Sequence, residues 1–238
     1  MIDLPLQNVY CVDIHFNSYY KRRRPQRQVI ATSFNKNKYI FSDINNYLSY
    51  INEIIGKGDI KICFIGIAND DSLIERLFFK GYIYTQYPKW QVYVLKTDDL
   101  FDGSKTNIIF SCDLIFVGGG RTSTLISIFE EAHFSLKLRN AYEAGVIMGG
   151  VSAGLLCWFK NGVTDSFSEL SRINCLNFLP FSATPHYQLE ERKQLFKSLV
   201  GNNKLNQGYG VPDGNIVHFI DESLHNTTGS RDLTEFVY

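Results

Sequence analysis

The chain has 238 residues, room for one large α/β domain or two small ones, and its 24 Lys and Arg balance 24 Asp and Glu. A formally neutral protein has no long-range attraction for a polyanion or an anionic bilayer, so neither nucleic acid nor membrane is expected as a partner. One domain over 1–238 is expected, with residues 1–27 standing apart as an added hairpin or edge segment. That segment is rich in Tyr and Arg and carries the basic run Lys21-Arg22-Arg23-Arg24-Pro25-Gln26-Arg27, read as a solvated loop.

From Gln28 onward, short β-branched or aromatic runs alternate with segments of helical period, the pattern of parallel strands joined by crossover helices. Strands are predicted over 29–34, 60–67, 91–95, 114–118 and 146–149. Ile44, Leu48, Ile51, Ile54 and Ile55 fall at helical spacing, as do Ile74, Leu77 and Phe78, which predicts amphipathic helices covering a sheet. A long helix is predicted over 123–144, with Leu125, Ile128, Phe129, Ala132 and Leu136 on its buried face. Shorter helices follow at 153–159 and 188–199, and residues 208–220 resemble two strands about a Pro212-Asp213-Gly214 turn. The expected fold class is α/β, a doubly wound, mostly parallel sheet flanked by helices, with ligands at the carboxyl ends of the strands.

The five cysteines (Cys11, Cys63, Cys112, Cys157, Cys175) are odd in number, lack C-x-x-C spacing and lie mostly in apolar stretches, which points to free thiols in a reducing compartment. Met1-Ile2-Asp3-Leu4-Pro5 lacks the basic start and apolar core of a signal peptide. No apolar run reaches the roughly 18 residues of a membrane span, so a soluble cytoplasmic protein is expected.

The chemistry is concentrated at Gly150-Val151-Ser152-Ala153-Gly154, which follows the apolar run Val146-Ile147-Met148 as a nucleophile elbow requires. A serine hydroxyl is barely ionised at neutral pH, so Ser152 needs a general base and a group that orients that base. Of five histidines, His15 lies in the atypical N-terminal segment, His133 within the long predicted helix, and His218 and His225 near the C-terminus. His186, in a predicted loop after a strand, is the candidate base. Asp165 is the candidate acid, in the chain order Ser, Asp, His, with Glu169 and Glu190 as alternatives. Gly118-Gly119-Gly120, between a predicted strand and the long helix, leaves backbone N–H groups unobstructed, so Gly119, Gly120 and Ala153 are candidates for an oxyanion hole. No nucleotide-loop motif and no paired-histidine metal spacing occurs, and no cofactor or metal is expected.

Taken together, Val117-Gly118-Gly119-Gly120-Arg121-Thr122, the elbow with Cys157-Trp158-Phe159, Thr164-Asp165-Ser166, and Pro185-His186-Tyr187 with Arg192 resemble the dipeptidase E and cyanophycinase family of serine peptidases. The resemblance covers about residues 28 to 220. It implies a class I glutamine amidotransferase-like fold with serine at the elbow, Ser152 as nucleophile, His186 as base and Asp165 as third member. The family includes enzymes that remove an N-terminal aspartate from dipeptides and others that cut β-aspartyl linkages. Its loop usually reads G-G-G-N-T, whereas Arg121 stands at the asparagine position here, either to bind a substrate carboxylate or to fill part of the pocket. Arg192 is a second candidate for carboxylate recognition, or an ion-pair partner of Glu190 or Glu191.

The expected function is a serine peptidase acting on small peptides, dipeptides with an N-terminal aspartate among them, through an acyl-enzyme. An esterase or amidase, or a non-catalytic binding protein on the same scaffold, are the alternatives. The oligomeric state, a homodimer included, is left open.

Overall fold

The computed structural model describes residues 25–34, 40–229 and 234–238. The expectations for residues 1–24, among them the basic run as far as Arg24, Cys11 and His15, lie outside the described residues. The chain runs β1 (Gln28–Thr32), α1 (Ile40–Ile55), β2 (Lys61–Ile65), α2 (Leu73–Gln86), β3 (Gln91–Leu95), α3 (Thr97–Asp102), β4 (Leu114–Val117), α4 (Thr122–Glu131), α5 (Phe134–Glu143) and β5 (Ile147–Val151). It continues as α6 (Ala153–Leu156), β6 (Phe159–Thr164), β7 (Ser171–Asn174), β8 (Leu179–Pro185), α7 (Glu190–Gly201), β9 (Gly208–Val211), β10 (Ile216–Ile220), β11 (Ser223–Thr228) and β12 (Glu235–Val237).

Seven strands form the main sheet in the order β11-β10-β1-β5-β4-β2-β3, with β1, β5, β4, β2 and β3 parallel. These parallel strands are apolar because helices cover both faces. Alternate side chains divide between two cores: Val29, Cys63, Ile65, Ile115 and Val117 pack with α4 and α5, while Ile30, Ile62, Phe64, Leu114 and Phe116 pack with α1 and α2. Each large side chain so buried contributes roughly 1.5–3 kcal/mol, which fixes the register of every strand. The fold is the α/β arrangement expected from the sequence, a mostly parallel sheet flanked by helices.

Two expectations are corrected. The long helix over 123–144 is two helices, because His133 adopts a left-handed φ of 51° between α4 and α5. The break resets the helical phase, so Phe134, Leu138, Ala141 and Tyr142 turn inward and Leu136 is exposed. In α2, Phe79 and Ile83 are buried, while Ile74 and Leu77 face outward.

The two strands expected about Pro212-Asp213-Gly214 are present as β9 and β10. These two strands do not pair with each other: β9 joins a second sheet, β12-β9-β8-β6-β7, and β10 joins the main sheet beside β1. The Pro212-Asp213-Gly214 segment therefore crosses from one sheet to the other instead of folding back on itself. Among the described residues no helix is long and apolar enough to cross a membrane, and no group of three or more His, Cys, Asp or Glu is placed to hold a metal ion.

Candidate active site

Ser152 stands at the carboxyl end of β5, between β4 and β1. Its backbone holds φ 54° and ψ −105°, a conformation that costs a non-glycine residue about 1–3 kcal/mol and is retained only where its surroundings enforce it. Those surroundings are specific. Ser152 N–H donates to Thr32 O at 3.2 Å, and Ser152 O accepts from Leu155 and Leu156 N–H as α6 begins. A Cβ on Gly154 would lie 2.0 Å from Val117 O, and one on Gly150 would lie 2.5 Å from Gly154 O, so both elbow glycines are demanded by space. Trp158, fully buried, donates its indole N–H to Gly149 O at 3.2 Å and fixes the exit of α6 against β5.

The parallel pairing of β8 with β9, ending at Pro185 opposite Val211, brings His186 and Asp213 side by side beyond the strand ends. His186, with φ 56°, turns its ring towards the elbow, and its Nε2 lies 2.9 Å from Ser152 Oγ. Its Nδ1 lies 2.6 Å from Asp213 Oδ1. The same carboxylate oxygen accepts from Ser33 Oγ at 2.8 Å, and Oδ2 accepts from Gln188 Nε2 at 2.6 Å. Gln188 Oε1 in turn receives the Asp213 N–H at 3.0 Å, so one side chain clamps both ends of the aspartate. Ser33 Oγ also accepts the backbone N–H of His186 at 3.0 Å. Burial pushes the Asp213 carboxyl up, but hydrogen bonds from His186, Ser33 and Gln188 and the attraction of the imidazole outweigh it, and its pKa lies below the ordinary carboxylate value.

Asp165, expected as the acid, stands elsewhere. Its side chain is 70% exposed and its Oδ2 pairs with Arg192 Nη2 at 2.9 Å. The loop that carries it is tied to the start of α4, where Ser166 Oγ accepts from Ser123 N–H, and so it follows α4 and not His186. Glu190, one of the alternatives, accepts from Gln194, and Glu169 is exposed. The group at His186 Nδ1 is Asp213, in the chain order Ser, His, Asp. Ser33, Gln188 and Asp213 were all missed from the sequence: pairing of β8 with β9 in a second sheet the pattern did not reveal brings Asp213 to His186, and Ser33, just past β1, is held beside them by backbone bonds to Gly214 and Asn215.

Gly119 lies against the elbow: a Cβ there would be 3.4 Å from Ser152 Cβ. Gly120 has φ 143° and passes so close to residues 67–69 that a Cβ would lie 2.0 Å from Ala68 O, while Arg121 N–H donates to that same carbonyl at 2.6 Å. This strap leaves the N–H groups of Gly119 and Gly120 without a backbone carbonyl partner among the described residues. Ala153 is the first residue of α6, where a helix has no internal acceptor for its N–H.

Phe34, Gly119, Gly120, Ser152, Asp165, His186, Leu189, Arg192 and Asp213 line one cleft of about 330 Å³. Arg192 is buried, and burial lowers its pKa against the raising effect of Asp165. Its Nη1 donates to Val163 O at 3.2 Å, and its buried Nε has no hydrogen-bond partner. Its ionic partner is Asp165, not Glu190 or Glu191. Arg121 is exposed and turned aside, its Nη2 donating to Ser166 O at 3.1 Å, and it is not among the residues lining the cleft. A serine on a strained elbow, bonded to an imidazole that is bonded to a buried carboxylate, is chemically equipped for acyl transfer.

A model of peptidase family S51 matches residues 29–227. The uncharacterized peptidase YgaJ of Bacillus subtilis (strain 168) is 36% identical over 177 residues, covering 72% of this chain and 74% of that protein. The fold is similar to that of a Listeria monocytogenes EGD-e protein described as a peptidase E, with TM-score 0.63 and 20% identity over 87% of this chain and 100% of that one. A peptidase from an acI-B1 Actinobacterium is similar in fold as well, with TM-score 0.58 and 12% identity over 87% of this chain and 89% of that one.

Proposed function

Because the chain belongs to peptidase family S51 and is a serine-type peptidase, we propose that Ser152 is its nucleophile, His186 the general base and Asp213 the acid that orients the base. The observation that carries this reading is the continuous chain from Ser152 Oγ through both ring nitrogens of His186 to Asp213, at 2.9 and 2.6 Å. With Nδ1 protonated and donating to Asp213, Nε2 is left as an acceptor for the serine proton. His186 takes that proton as Ser152 Oγ bonds to the scissile carbonyl carbon. The oxyanion is received by N–H groups of Gly119 or Gly120 and of Ala153, and the tetrahedral adduct then collapses as His186 gives the proton to the leaving amine. A water molecule, deprotonated by His186, attacks the acyl-enzyme and releases Ser152.

The substrate proposed is a small peptide with an acidic N-terminal residue, whose side-chain carboxylate meets Arg192. What supports this is a buried guanidinium beside the cleft with one donor unspent, held by Asp165 on its solvent side. Asp165 then serves to position Arg192. The test is hydrolysis of dipeptides with free N-terminal Asp, Glu, Ala or Lys, and of simple aryl esters, by the protein and by Ser152→Ala. Turnover confined to acidic N-termini and abolished in the variant is the expected result. Turnover of aryl esters alone would make the protein an esterase on this scaffold. Labelling by a serine-reactive phosphonate that is lost in His186→Ala tests the nucleophile without reference to the peptide.

A further inference from the structure

We propose that an apolar cavity sharing Phe34 with the catalytic cleft is a substrate pocket, and that it takes an apolar side chain from the leaving-group residue of the peptide. The cavity measures about 260 Å³ and is walled by Phe34, Phe64, Phe78, Phe79, Phe116 and Val151 among others. Its base is a run of stacked rings, Phe64 on Phe79 at 4.6 Å and Phe79 on Phe116 at 4.9 Å between centroids. Two residues join it to the chemistry: Phe34 lines both cavities, and Val151 immediately precedes Ser152.

Size and chemistry select the guest. Pockets for whole small molecules begin at roughly 300 Å³, so this one suits a single side chain. Its polar edge is already engaged, since Glu75 Oε2 accepts from Asn69 Nδ2 at 2.9 Å and Glu75 N–H donates to Ser72 Oγ. An acidic guest would meet the Glu75 carboxylate, and a hydrogen-bonding one would find few free partners. Ile74, also lining the cavity, is 81% exposed on α2, an apolar residue facing water at the mouth of an apolar pocket. The choice of the leaving-group side rests on the reading above: if Arg192 receives the acidic N-terminal side chain, the second side chain of a dipeptide needs another wall of the cleft, and Phe34 is the wall that the cleft shares with the apolar cavity.

The inference is tested on the Ser152→Ala protein by nuclear magnetic resonance titration with L-leucinamide and glycinamide, which represent leaving residues with and without an apolar side chain. Leucinamide is expected to bind about 10-fold or more tighter than glycinamide, as removal of one apolar side chain from water implies. Adding Ile74→Asp or Phe78→Asp is expected to bring the two within about 3-fold. The active enzyme should show the same preference in kcat/KM for Asp-Leu over Asp-Gly. Equal binding of the two amides, binding by neither, or a preference untouched in both Asp variants overturns the proposal. Failure of the catalytic reading would register separately, as absence of phosphonate labelling at Ser152 in the unsubstituted enzyme.

Discussion

Replacing Asp213 by Asn keeps the shape of the side chain and removes its charge, while Ser33 and Gln188 remain in place to hold it. In the proposed mechanism His186 becomes an imidazolium as Ser152 attacks, 2.6 Å from where the carboxylate oxygen stood. With charge centres roughly 4 Å apart and an effective dielectric of about 20, the lost attraction is about 4 kcal/mol, or about 10³ in rate. An amide N–H₂ facing Nδ1 also favours the tautomer that puts the ring proton on Nε2, where it blocks the serine, and this takes the expected loss in kcat towards 10⁴. KM should change little, because the role of Asp213 is to orient and stabilise His186, to which its carboxylate is bonded. Asp165→Asn removes a carboxylate that is mostly in water, so its effect on kcat should stay below about 10-fold, with the larger change in KM for acidic substrates. Steady-state kinetics on an acidic N-terminal dipeptide, with phosphonate labelling rates where turnover is slow, measure both variants. A loss of about 10³ in Asp165→Asn with Asp213→Asn within 10-fold of the parent would refute the reasoning.

Ser33→Ala removes the hydroxyl that bonds both Asp213 and the His186 amide; kcat should fall about 10-fold, since an unmade bond of this kind costs about 1–2 kcal/mol, and Ser33→Thr should recover part of it. Gly154→Ala drives a methyl into Val117 O, and chemical denaturation should show a loss of about 3 kcal/mol, whereas Gly201→Ala, at a site with open space, should be tolerated. Burial, with a smaller contribution from His225, lowers the pKa of His218 from 6.5 to about 4. The unfolded chain then takes up this proton first, so stability should fall as pH drops from about 6.5 to about 4, by up to about 3 kcal/mol. Urea unfolding across that window should show a smaller loss in His218→Gln than in the parent, and equal losses would mean that His218 is not the group responsible.

The part of the molecule legible in the chain is the part built from local pattern. Parallel strands buried on both faces are runs of apolar residues, and β1 to β5 were recognisable for that reason. The elbow was recognisable because β5 and α6 approach so closely that Gly150 and Gly154 admit no substitute. His186 stood out as a histidine just past a strand. Helix phase was not legible: nothing in residues 123–144 announces that His133 adopts a left-handed conformation, and Leu73, Ile74 and Leu77 of α2 face water.

Which carboxylate meets His186 was decided only by tertiary structure. Asp165 and Asp213 are both aspartates in polar, turn-like surroundings, and nothing local to Asp213 marks it as the partner of a histidine. The choice depends on β8 and β9 pairing in a second sheet, so that residues 27 apart in sequence lie across a 2.6 Å hydrogen bond. Pro212-Asp213-Gly214 has the composition of a hairpin turn, but hydrogen bonds to two different sheets carry its flanking strands apart and aim the aspartate at the imidazole. Local composition determines where a chain bends, whereas long-range strand pairing determines what the bend faces.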